Sequence, residues 1–360
     1  MAYAARLAAT SALFAASFAV ALPAFAHEAS APSTGPRADD HAPAGVMADH
    51  MHKAGEVMIG LRLSRDWYDG AMRTGTEPLT DMQIAHAGYS MGTQSMRMDM
   101  AMLDIMWAPN DNLTLMLMPQ YMKMDMVMRA LPDMSGGHGG SHHGGGHAMM
   151  PGETHAHSHE GWGDTIVAGL VRIKKNDKAN IHATLAVGIP TGSVDARNPD
   201  GSYLHYGMQM GSGTWDILPS LTMTGRAGRW GWGGQGNYVW RAEKRNESGY
   251  QLGDQFSATA WTSYRIADSA SLSVRGLYTH EGAIKGEYAG VQNMVSPSDG
   301  QLNYGTDRLE IGLGLNLVPT AGPIKGLRVG AEYLVPVYEK VNGIQIAKRD
   351  GLQINISKAF

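Results

Sequence analysis

Methionine is the residue whose number and spacing point to chemistry: there are 25 in a chain of 360 residues. Met96, Met98, Met100, Met102 and Met106 share one parity, and Met116, Met118, Met122, Met124, Met126 and Met128 share parity on the segment that follows. Thioether sulfur is a soft donor that selects Cu(I) over harder ions. Rows of weak, exchangeable sites let an ion be handed along, because conduction needs binding loose enough to release. The same polarisable surface also suits small hydrophobic or aromatic solutes.

Histidine is concentrated just beyond. His138, His142, His143 and His147 lie in a Gly/Ser tract, and His155, His157 and His159 follow it, together with Met149, Met150, Glu153 and Glu160. Imidazole suits Cu(II), with zinc and nickel as weaker candidates. Such a Gly/His tract cannot bury a core, so a solvated extracellular loop over 129–161 is expected. The N-terminal part repeats the theme in His27, His41, Met47, Asp49, His50, Met51 and His52, of which His50 and His52 are the metal candidates. His86, His182, His205 and His280 stand singly and read as ordinary loop or lumen residues.

Two strands must position the methionines. Ala108-Pro109-Asn110-Asp111-Asn112 is a turn, and pairing about it sets opposite each other residues whose numbers sum to about 220 (Met96 with Met124, Met98 with Met122, Met102 with Met118). Opposite side chains share a face of the sheet and lie a few ångströms apart. The other parity carries Leu103, Ile105, Trp107, Leu113, Leu115, Leu117 and Tyr121, which are better lipid contacts, whereas Asp104 and Gln120 share the methionine parity. A carboxylate belongs in a lumen, so the methionines are expected to face inward.

Period-two apolar residues recur along the chain, as at Ile181-Ala183-Leu185-Val187-Ile189 and Leu309-Ile311-Leu313-Leu315-Leu317. Runs of about ten such residues are long enough to cross a membrane as tilted strands. They predict strands at 56–68, 94–108, 113–128, 162–174, 180–192, 214–225, 230–242, 252–265, 271–282, 304–317, 327–338 and 348–360. Connectors alternate between short and long, as expected of periplasmic turns and external loops. Trp67, Trp107, Tyr121, Trp240, Tyr264 and Tyr338 sit toward strand ends, where interfacial girdles lie. The fold class is all-β: a transmembrane antiparallel up-and-down barrel of about 12 strands (56–360) with a disordered N-terminal segment.

Residues 1–26 read as a signal peptide, with Arg6, the apolar run 7–22 and small residues at Ala24 and Ala26. Residues 27–55 read as a flexible His/Met-containing periplasmic segment. The chain has no Cys, so metal chemistry would use His, Met or carboxylates, and stability must come from pairing and packing. A net charge of -4 argues against nucleic acid as a partner. Beyond the leader no apolar stretch is long enough for a spanning helix. Nothing has the pattern of a Ser/His/acid catalytic set, so no enzyme is expected.

Three short segments carry a family likeness: Gly161-Trp162-Gly163-Asp164, Gly188-Ile189-Pro190-Thr191-Gly192-Ser193 and Gly211-Ser212-Gly213-Thr214-Trp215-Asp216. In order and setting they resemble the outer-membrane transporter family named after the meta-cleavage (MetA) pathway of phenol degradation. The resemblance implies a porin-like barrel with a transport role and supplies no catalytic residues. Its methionine and histidine content departs from the general family. Leu352, Ile354, Ile356 and Phe360 share parity, and such an apolar strand ending in Phe resembles the signal read by the barrel-assembly machinery. The expected surroundings are outer-membrane lipid. Two functions compete: a copper-binding or copper-passing barrel, and a channel for small hydrophobic or aromatic solutes with no metal role.

Overall fold

A computed structural model describes residues 37–132, 150–176 and 179–360. The expected signal peptide, His27, and His138, His142, His143 and His147 lie outside the described residues.

Strand formation follows the period-two pattern. The wall elements are β1 (Val57–Gly75), β2 (Met91–Asn110), β3 (Leu113–Met118), β4 (Gln120–Ala130), β5 (Thr154–Trp162), β6 (Thr165–Lys175), β7 (Ala179–Ile189), β8 (Asp216–Ala227), β9 (Trp230–Arg241), β10 (Gln255–Ala267), β11 (Ala270–Glu281), β12 (Thr306–Leu317) and β13 (Arg328–Ala359). All neighbours are antiparallel, and β1 pairs with both β2 and β13, so the sheet closes on itself. Eleven elements make the ring, while β4 and β5 continue the wall beyond the breaks at Pro119 and at 163–164.

β13 is 32 residues long, which would extend roughly 105 Å as one straight strand. It does not run straight. Its first part pairs with β12 and its second with β1, Val341 being the partner of both Thr306 and Gly75. Lys348 reaches Glu310, whose own register partner is Pro336. The run therefore doubles back near Asn342-Gly343, where Gly343 supplies a φ of 53° that disfavours other residues. Counted this way the wall is crossed twelve times, the even number expected when both ends lie on one side.

The alternation is inside-out relative to a soluble sheet. Ile59, Leu61 and Leu63 on β1, Leu272 and Val274 on β11, and Leu309, Ile311 and Leu313 on β12 face outward and are exposed. Asp104, Arg275, Glu310 and Glu332 point inward and are buried. Lipid around an apolar band and a polar interior account for this arrangement. Two aromatic rows flank the band. Trp107, Trp230 and Tyr264 lie near the short turns, with Trp230 and Tyr264 rings 4.8 Å apart. Tyr121, Trp162, Tyr238, Phe256, Tyr278 and Tyr338 lie near the long connectors. Beyond that second row, outward charges pair as Arg65–Asp99, Arg97–Asp125 and Lys123–Glu160.

Residues 37–55, expected as a mobile periplasmic segment, are packed inside the barrel at the end bearing the short turns. Lumen-facing polar side chains need partners once buried, and this segment's backbone supplies them. Arg62 donates to Ala44 O at 2.7 Å, Gln235 to Met47 O at 2.8 Å, Arg328 to Ala42 O at 2.9 Å and Ser271 to Ala38 O at 2.9 Å.

Candidate functional site in the barrel lumen

β2, β3 and β4 turn their methionines inward, on the face expected. Met102, Met106, Met116, Met118, Met124, Met126 and Met128 are buried, and Met96, Met98, Met100 and Met122 are partly so. The pairing differs from the sequence expectation by two residues: Met96 stands opposite Met126, Met98 opposite Met124, Met100 opposite Met122 and Met106 opposite Met116. The turn falls at Asp111-Asn112, between the paired Asn110 and Leu113, and an irregularity between Trp107 and Asn110 takes back one residue. An even shift leaves every side chain on the same face, so the ladder survives the correction.

The loop expected over 129–161 is also shorter than read. Its last part, from Thr154, is β5, which pairs with β4 so that His159, His157 and His155 stand opposite Met124, Met126 and Met128. Alternation in 154–162, with His at every second residue, was the available signal, but it was masked by the Gly/His tract preceding it. His159 Nε2 is buried without a hydrogen-bond partner. The rings of His155 and His157 are 4.4 Å apart.

A residue that sequence reasoning set aside joins them. His205 comes within 6.0 Å of His157 ring to ring, and its Nδ1 lies 2.7 Å from Asp299 Oδ1. Met208, beside it, packs with Met126, Met128 and Leu204. Nothing local marks His205 or Met208 in the sequence, because the connector between β7 and β8 reaches the wall only through tertiary folding.

A second sector of the lumen wall, on β1, β2, β11, β12 and β13, is ionic. Arg275 donates to both oxygens of Glu332 at 2.7 and 3.0 Å. Arg62 pairs with Asp104 at 2.6 Å, and Arg308 with Glu310 and Glu339 at 3.2 Å each. Lys348 lies 2.8 Å from Asp66 and 2.9 Å from Glu310. One sector is thus thioether and imidazole, another is paired charge, and β7 to β10 present neutral polar side chains such as Thr184, Thr222, Gln235 and Thr259.

The lumenal segment brings a second group of histidines together. Asp49 is buried and accepts from His50 Nδ1 at 2.8 Å and from Ala42 N at 2.9 Å. His41 Nδ1 lies 3.9 Å from Asp49, and the His50 ring is 4.9 Å from those of both His41 and His52. Burial would raise the Asp49 carboxyl, yet His50 and Arg328 bring it well below the usual carboxylate range. Burial, then Arg328, pushes His41 well below the ordinary imidazole value. Burial and the neighbouring His50 lower His52 to about 4.

The three glycine-rich segments meet at one carboxylate. Asp164 accepts from Gly192 N at 3.0 Å, Ser212 N at 2.7 Å and Ser212 Oγ at 2.9 Å. Gly192 and Gly211 touch so closely that a Cβ on either would lie 2.7 to 2.8 Å from backbone of the other.

Residues 87–304 match the family described as "Putative MetA-pathway of phenol degradation". The chain belongs to that family. Among solved structures it is similar to an outer membrane channel from Pseudomonas putida F1, at 13% identity and a TM-score of 0.56, covering 88% of this chain and 99% of that one. At that identity the likeness is one of fold, and the fold is that of outer-membrane channels. The toluene transporter TbuX of Ralstonia pickettii aligns at 8% identity and a TM-score of 0.41, over 90% of this chain and 95% of its own. No curated protein matches the sequence.

Proposed function

We propose that this family member is an outer-membrane channel that binds copper along one side of its lumen and passes it between the external loops and the periplasm. The observation that supports the reading is the register of β2, β4 and β5: Met98, Met124 and His159 in one row, Met96, Met126 and His157 in the next, all inward. Thioethers suit Cu(I) and imidazoles suit Cu(II), so a mixed row keeps a ligand for either oxidation state. The ladder continues toward the periplasmic end through Met102, Met106, Met116 and Met118. Copper here is cargo, held by groups that release it.

The reading is tested by Cu(I) titration against a competing chelator in detergent. A variant with Met96, Met98, Met124 and Met126 changed to Leu and His157 and His159 changed to Gln should lose the competition that wild type wins. Equal copper retention by both proteins would refute a wall site.

The buried cluster of Met58, Met102, Met106, Met116, Met118 and Leu170 favours a second reading, a slide for small hydrophobic or aromatic solutes. Uptake of phenolic solutes into liposomes, unchanged by copper chelators, would select it. The ionic wall facing that cluster supports the first.

A further inference from the structure

We propose that His41, Asp49 and His50 form a binding site for a divalent first-row transition ion, Cu(II) or Zn(II), on the lumenal segment at the periplasmic mouth. One ligand atom from each of the three lies within 4.8 Å of the others. Ligands held about 2.0 to 2.2 Å from one ion lie at most about 4.4 Å apart, so closure needs only a few tenths of an ångström. The set is two nitrogens and a carboxylate, a donor combination that such ions accept and that leaves a position open.

Independent features point to a ligand here. His41 Nδ1 and His52 Nε2 are buried with no hydrogen-bond partner. His52 is 5% exposed and sits edge-on to His50, within the reach of a further ligand or an outer support. The three ligands and Met51 line a cavity of about 550 Å³ bounded by His182 and Arg172 on the wall, so an ion has both room and an approach.

The site does more than hold an ion. His41 and Asp49 lie on opposite sides of the bend formed by Ala42 to Ala48, which carries the wall contacts of Ala42, Ala44, Gly45, Met47 and Ala48. An ion bridging 41 to 49 and 50 closes that bend into a ring and pins the segment in the lumen. None of the three ligands belongs to the wall ladder, although Ala48 and Met51 pack against it.

The test uses the full chain with His138, His142, His143 and His147 changed to Ser and His155, His157 and His159 changed to Gln, so that neither the Gly/His tract nor the wall histidines bind the probe. Cu(II) titration should give one bound ion with nitrogen hyperfine structure in its electron paramagnetic resonance spectrum. Adding His41→Gln and His50→Gln should weaken that ion about tenfold or more, with the heat-dependent gel shift of the folded barrel retained. Hydrogen exchange of the protein with its triad intact should slow at residues 41–50 when Cu(II) is added. An unchanged spectrum and affinity in the double variant, or no slowing at 41–50, would overturn the proposal, whatever the wall variants do.

Discussion

Met126 and His157 stand directly opposite each other on neighbouring antiparallel strands, both facing the lumen. Their side chains share one patch of wall, and Met96 extends the row to a third strand. Changing Met124, Met126 and Met128 to Leu conserves volume, so each should cost less than about 1.5 kcal/mol of stability. Cu(I) affinity should fall while the denaturation midpoint barely moves. A midpoint shift without loss of copper affinity would mark the row as packing only.

Removing residues 37–55 should open the periplasmic end. Single-channel conductance in planar bilayers should rise well above that of the full chain, and Gln235→Ala with Asn316→Ala should give part of the increase by freeing Met47 and Ala42. Equal conductance in all three proteins would contradict a segment seated in the pore.

Glu332 is buried against Arg275 and also accepts from Gly45 N at 2.9 Å. Glu332→Gln leaves the guanidinium without its counter-charge, a loss of about 3–5 kcal/mol for a buried pair broken on one side. Chemical denaturation in detergent micelles reads the loss, and protease sensitivity near residue 45 should rise with it.

Acid should loosen the metal-free lumenal segment. His52, facing His50, Asp49 and Glu56, titrates at about 4 when docked against an ordinary value of 6.5. The undocked segment therefore binds the proton first, and docking weakens as pH falls from 6.5 toward 4, by up to about 1.4 kcal/mol per pH unit for one such group. Asp49 does not compensate, since its lowered value keeps it ionised through that window. Protection factors at 41–52, taken after correction for the pH dependence of intrinsic amide exchange, should be lower at pH 5 than at pH 7.

Asp164→Ala strands three donors at once. With about 1–3 kcal/mol for each unsatisfied buried group, the connector between β7 and β8 should become the first site of limited proteolysis. Unchanged cleavage would mean that the carboxylate is dispensable there.

The barrel was legible because its signals are local: alternation, turn residues and connector length each span a few positions. The methionine face was legible because Asp104 and Gln120 share its parity. Register was not, since the turn lies at Asp111-Asn112 and an irregularity between Trp107 and Asn110 follows it, and together they move every partner by two. The ionic wall left only scattered charges inside strands, such as Glu310 and Glu332, whose partners lie on other strands. His205 and the contacts of 37–55 depend on segments from tens to hundreds of positions apart meeting in the lumen, and no short window of residues carries that information.

The seam between β1 and β13 sets an order of events. Val57 N donates to Phe360 O, and Phe360 N returns a bond to Val57 O, so the wall is joined by the first and last strands to be synthesised. The segment seated in the lumen precedes both. Its anchors, Arg62, Gln235, Ser271, Asn316 and Arg328, are spread over five wall elements, so its docking is complete only when nearly all of the cylinder exists. Until then the cylinder has two raw edges and an unfilled bore. A cell making this protein must therefore shelter a growing sheet and a loose leader segment together, and the closing seam traps the filling inside.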